Sequence, residues 1–179
     1  MPRQIVLLRG INLGSRNRIA MPALREAFAD AGFEDVQTYL QSGNVVASSK
    51  AAPKTVARKT KGLIADRFGL DIEVVVRTRD ELAEVVRRNP LGKVAKDPKR
   101  YQVSFLDRKA DPKVVEKLAA LAVGGEQLVA DGRELYAWHP AGVARSKLWA
   151  ALADRRLGAT ATARNWTTVT KLLELADAQ

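Results

Sequence analysis

The chain contains no cysteine and a single histidine, His139. Disulfides and thiolate zinc sites are therefore excluded, and so are metal centres built from several histidines. Aromatic residues make up only 6% of its 179 residues. No apolar run approaches the ~18 residues of a membrane-spanning helix. Pro2-Arg3-Gln4 leads directly into a short strand, so no signal peptide is read at the N-terminus. These absences predict a cytoplasmic globular protein that does not enter the membrane. Hydrophobic residues at 46% and charged residues at 28% fit that class.

What is present is positive charge. Thirty basic and 20 acidic residues leave a net charge of +10. Divided after Pro90, each half carries 15 basic and 10 acidic residues, so the charge is spread and not held in a tail. Such a protein is drawn to phosphate-rich partners, nucleic acid above all. A coding bias towards arginine and alanine accounts for the same excess, so charge alone does not decide.

Ile5-Val6-Leu7-Leu8 reads as a buried strand, followed by the glycine-punctuated basic loop Arg9-Gly10-Ile11-Asn12-Leu13-Gly14-Ser15-Arg16-Asn17-Arg18. A helix starts at Met21-Pro22 and stops at Gly32. Asp35 to Leu40 and Val45 to Ala47 form a hairpin across Gln41-Ser42-Gly43-Asn44. Pro53 to Phe68 is a second helix ended by Gly69, and Ile72 to Val76 a further strand. Thr78 and Glu81 make a capping box for a short helix that ends at Asn89-Pro90. Strand, helix, strand, strand, helix, strand is the ferredoxin-like order.

A similar series follows the basic connection Gly92 to Arg100. Tyr101 to Leu106 is a strand, and Asp111-Pro112 opens a helix ended by Gly124-Gly125. Gln127 to Ala130 and Glu134 to Trp138 form a hairpin, for which Asp131-Gly132 signals a type I′ turn. A helix from Ser146 to Leu157 is stopped by Gly158. Ala159 to Arg164 departs from the pattern as a small, polar and extended stretch, before Asn165 caps a last helix. The expected fold class is α+β, with two tandem βαββα(β) ferredoxin-like halves and a C-terminal helix. The halves span 1–90 and 91–179.

Four stretches combine glycine or a helix start with cations and amides. They hold Arg9 and Asn12, then Gln41 and Asn44, then Arg145 and Lys147, and finally Arg164 and Asn165. Free N–H groups at helix starts favour anions, and arginine adds a planar fork that fits phosphate or carboxylate. Arg145 and Arg164 immediately precede caps, where a cation opposes the helix dipole by about 0.3–1 kcal/mol unless an anion lies between. Simple turn and capping roles account for Gly10, Gly14, Asn12, Asn44, Ser146 and Asn165 taken singly.

The Gly10 to Gly14 spacing fits neither a dinucleotide fingerprint nor a P-loop. Trp138, Trp149 and Trp166 read as core or hinge packing rather than base platforms, with Trp166 the exception because it adjoins Arg164. His139 has no evident acidic partner and reads as a structural or surface residue. No catalytic triad or cofactor is indicated.

Taken together, Arg9-Gly10-Ile11-Asn12-Leu13-Gly14, Tyr39-Leu40-Gln41-Ser42-Gly43-Asn44-Val45-Val46 and Thr162-Ala163-Arg164-Asn165-Trp166-Thr167-Thr168-Val169 resemble the bacterial family catalogued as domain of unknown function 1697. Leu13, Ser15, Ala47 and Thr167 depart from the family pattern without removing a charged group. The resemblance implies an α/β architecture with no assigned activity, in which these stretches share one site.

The expectation is a basic cleft between the halves. There Arg9, Asn12, Gln41, Asn44, Arg145, Lys147, Arg164 and Asn165 meet a phosphate-bearing ligand, nucleic acid in the first reading. A protein or enzyme that takes a small nucleotide or anionic metabolite is the alternative, and a non-catalytic scaffold the second.

Overall fold

The computed structural model describes residues 1–154 and 157–178. Two compact units divide the chain, Met1–Glu84 with Lys171–Gln179 and Val85–Thr170. The first holds β1 (Arg3–Leu8), α1 (Met21–Asp30), β2 (Glu34–Tyr39), β3 (Asn44–Ser48), α2 (Pro53–Phe68) and β4 (Val74–Thr78). The second holds β5 (Tyr101–Leu106), α4 (Pro112–Ala119), β6 (Gln127–Asp131), β7 (Glu134–Trp138), α5 (Lys147–Leu152) and β8 (Ala161–Asn165). Helices α3 (Arg79–Arg88) and α6 (Trp166–Asp177) each follow a last strand, and each is divided between the units. The α+β fold with two repeated halves and a final helix is thus as the sequence implies. Among the described residues no helix is long and apolar enough to cross a membrane.

Both sheets are antiparallel and equivalent in order, β2-β3-β1-β4 and β6-β7-β5-β8. The continuous apolar run of β1 becomes a central strand because only a strand paired on both edges satisfies its buried backbone groups. Val6 and Leu8 point into a core with Leu24, Phe28, Val45, Val56 and Ile64. The second unit buries Leu106, Leu118, Leu135, Leu148 and Leu152 in the same manner.

The repeat extends to register. Gln4 lies opposite Thr78 and Ile5 opposite Arg77, just as Gln102 lies opposite Asn165 and Val103 opposite Arg164. Arg77 and Arg164 therefore occupy equivalent places, one residue before the polar residue that caps the next helix. Both are buried, at 1% and 8% exposure.

Local chemistry explains most boundaries. Gly69 ends α2 in the left-handed region, at φ 67°. Thr78 and Glu81 form the reciprocal box at the start of α3, and the side chains of Asp111, Ser146 and Asn165 cap α4, α5 and α6.

Five expectations need correction. Helix α4 ends at Ala119, where Ala120 N–H closes on Glu116 O, and Gly124-Gly125 lie beyond it in the loop to β6. The strand read as Ile72 to Val76 runs Val74–Thr78, because pairing with β1 carries it through Arg77 while Ile72 packs into the core ahead of it. Ala161–Asn165 is a paired strand that completes the second sheet, not a departure from the repeat. The second hairpin pairs Asp131 with Glu134, so its turn residues are Gly132 and Arg133. Only Gly132 has positive φ, at 62°, which is the type II′ pattern in place of I′. Helix α5 ends at Leu152, where the N–H of Ala153 closes on Trp149 O and that of Asp154 on Ala151 O; part of the longer helix expected, residues 155–156, lies outside the described residues.

At the first hairpin, Gly43 combines φ 88° with a close approach: its carbonyl accepts from Leu8 N–H at 2.9 Å. A Cβ there would stand 2.7 Å from Leu8 Cβ and 3.0 Å from Ile11 Cδ1. Gly43→Ala should lower the unfolding free energy by about 2–4 kcal/mol, the sum of a left-handed penalty and overpacking. Urea denaturation measures this, and an unchanged midpoint would contradict it.

Candidate functional site

In the first unit, the stretch after β1 is organised by one amide. Asn12 accepts from Ile19 N–H at 2.8 Å and donates to Ile19 O at 3.0 Å and Gln41 O at 2.7 Å. It thereby ties the 10–19 loop to the tip of the first hairpin, at φ 53°. Asn12 and Gln41, 29 residues apart, then line one pocket of about 370 Å³ with Arg18, Ile19, Ala20, Met21 and Pro22. The pocket sits at the start of α1. That helix opens on Ala20 with no side-chain cap and no acidic residue in its first turn, leaving N–H groups and partial positive charge at the opening.

Arg9 and Asn44 are not among the residues lining that pocket. Arg9 is ion-paired to Glu73 at 3.3 Å, and its N–H donates to the carbonyl of the same residue. Asn44 is fully buried and donates to Tyr39 O and Ser42 Oγ, which closes the hairpin from inside.

In the second unit, Arg145 and Lys147 are exposed on either side of Ser146. Arg145 and Ser146 line a pocket of about 490 Å³ with Val123, Gly124, Glu126 and Gly142. Arg164 is folded back on its own strand, where it donates to Thr162 Oγ1 at 2.7 Å and Ala163 O at 2.8 Å. Burial pulls its pKa down to about 10, which still leaves it charged at neutral pH. Asn165 accepts from Thr168 N–H as the cap of α6. Trp166 stacks on Tyr101 with ring centroids 4.8 Å apart, which occupies one ring face.

Of the two roles the sequence allowed His139, the structure has the structural one and not the surface one, and it supplies the acidic partner, Glu126, that the sequence did not reveal. His139 is fully buried, and its Nδ1 lies 2.5 Å from Glu126 Oε2. Ser146 Oγ donates to the same oxygen at 2.6 Å and accepts from Trp149 N–H. Burial pushes the Glu126 carboxyl pKa up, but hydrogen bonds from Ser146 and His139, then the Val123 N–H, outweigh it and hold the group below 4.5. An ionised carboxylate only accepts, so Nδ1 carries the proton.

This arrangement is not a nucleophile–base–acid relay, which uses the two imidazole nitrogens separately. Ser146 and Glu126 both meet Nδ1. The cluster instead places negative charge at the start of α5, in answer to the cations expected to oppose its dipole. Nothing in the sequence ties together partners 13 and 20 residues apart.

Because the folded-state pKa of Glu126 is depressed, its stabilisation is full above 4.5 and is lost as pH falls through the lower value. Glu126→Gln should cost about 1–3 kcal/mol at neutral pH. It should also flatten the fall in stability from about pH 5 downward. Urea denaturation at a series of pH values checks both, and parallel acid limbs for wild type and variant would refute the second.

No curated protein matches the chain. Among solved structures it is similar to a conserved bacterial protein from Streptococcus pneumoniae, at 20% identity and a TM-score of 0.79, over 98% of this chain and 99% of that one. That likeness is one of fold. Residues 1–136 match the family model described as a protein of unknown function, DUF1697, and with three quarters of its length so matched the chain belongs to that family.

Proposed function

We propose that the protein binds nucleic acid, and that a backbone phosphate seats in the first-unit pocket at the opening of α1. The observation that carries this reading is the convergence there of Asn12 and Gln41, from separate stretches, with Arg18 and an uncapped helix start. Helix N–H groups and an arginine beside them are the common means of holding a phosphate.

Two further features support an external partner. Leu13 and Leu40 are 65% and 57% exposed on the 10–18 loop and the hairpin tip. Leu40 also holds φ 56°, a left-handed conformation that costs a branched side chain about 1–2 kcal/mol. An exposed leucine adds little buried area to the fold, whereas apolar tips beside cations are suited to contact bases next to the phosphates they flank. Arg16, also exposed, adds charge on the same loop.

Affinity for a short duplex should therefore fall steeply with salt. Arg18→Gln should reduce the slope of log K against log salt by about 1. Leu40→Gly should weaken binding while leaving the fold as stable or up to about 1 kcal/mol more so. Fluorescence anisotropy across a salt series, with urea denaturation alongside, measures all three. Affinity that does not change with salt would overturn the reading.

A further inference from the structure

We infer that the exposed stripe Lys54, Arg58 and Gly62 of α2 is a second track for a nucleic-acid backbone. This rests on the nucleic-acid reading above and extends it to a different part of the first unit. Residues four apart share one helix face, here about 6 Å apart along the axis, so each cation can meet its own phosphate. The face is opposite Val56, Thr60 and Ile64, which α2 buries.

The remaining cations of the helix are engaged within the fold. Lys59 stands over the Phe33 ring at 5.0 Å, Lys61 pairs with Asp71 at 3.0 Å, and Arg67 pairs with Asp30 at 2.9 Å and Glu26 at 3.6 Å. Lys54 and Arg58 meet no acidic group among the described residues. They also stand towards the positive end of the helix. That end opens on Ala52 with no side-chain cap and no acidic residue in the first turn. Helices α3 to α6 do have side-chain caps.

Gly62 is the independent sign. It lies in the interior of a helix, where glycine is unfavourable, and its backbone does not need positive φ. A Cβ at Gly62 would meet nothing within 4 Å, so packing within the fold does not exclude one. On the line of the two cations, the missing side chain lets a sugar-phosphate strand approach the helix closely. Asp66, one turn further on, ends the track.

The track is separate from the Arg18 pocket. Glu26 and Asp30 face Arg67, while Phe33 meets Lys59, so α1 and α2 run antiparallel and their uncapped starts lie at opposite ends of the pair.

The test uses the full chain and a short fluorescent duplex, DNA in one arm and RNA in the other. In the arm that binds, Lys54→Gln with Arg58→Gln should weaken affinity at least about tenfold and flatten the salt slope by about 2. Gly62→Leu should leave Tm unchanged or raise it by about 2–4 °C, yet weaken binding about tenfold. If wild type binds neither duplex, the nucleic-acid reading falls and this inference with it. If wild type binds and Arg18→Gln alone weakens it, the α2 track is refuted while the pocket stands.

Discussion

A central strand paired along both edges must have each backbone group satisfied and each side chain accommodated. In both units that requirement falls on one strand, β1 or β5, all but fully buried. It explains why glutamine recurs where each strand begins. Gln4 donates to Ser49 O and Ala51 O, and Gln102 to Lys99 O, so each ties neighbouring loop backbone to its sheet. The same constraint makes the hairpin tip at Gly43 approach Leu8 closely, and this brings the loop carrying Asn12 against Gln41. The pocket at α1 is thus a by-product of how the core strand is closed at its C-terminal end.

Charge in this protein is of two kinds. Arg9 with Glu73, and Ser146 with Glu126 and His139, show the fold supplying its own anion or donor where sequence pattern suggested a ligand. Arg18, Lys54 and Arg58 instead stand exposed beside helix starts that have no cap. Which arginines are available to a partner depends on tertiary pairing, not on nearness to a glycine or a cap. That distinction places the proposed recognition surface on loops and an open helix face, away from buried strand ends.

Most local signals were legible where the responsible groups lie within about four residues of one another, the turn at Gly132-Arg133 and the end of α4 being exceptions. The capping box of α3, the caps Ser146 and Asn165, and the stop at Gly69 belong here, and with the order of elements they define both halves. What escaped the sequence depends on partners far apart. The limits of β4 follow its register with β1, and the partner of Arg9 is 64 residues away. Arg77 lies in a run of valines that reads as plain core, and only the sheet register shows its equivalence to Arg164. At the candidate site, Asn12 and Gln41 are identifiable from sequence as polar groups in glycine-rich turns, whereas nothing in the sequence sets Arg18 apart from the other cations of its loop.

The division of α6 has a bearing on how the protein is made. Leu172 and Ala176 are buried, and Asp177 pairs with Arg79 at 2.6 Å, yet these residues follow Glu84 by more than eighty positions. A ribosome working from the N-terminus completes the continuous unit, 85–170, before it delivers the segment that finishes the discontinuous one. The first sheet and its helices must therefore wait, partly uncovered, for their last apolar residues. Closing so long a loop adds its entropic cost to that last step of assembly, and until then the unfinished unit keeps apolar surface uncovered.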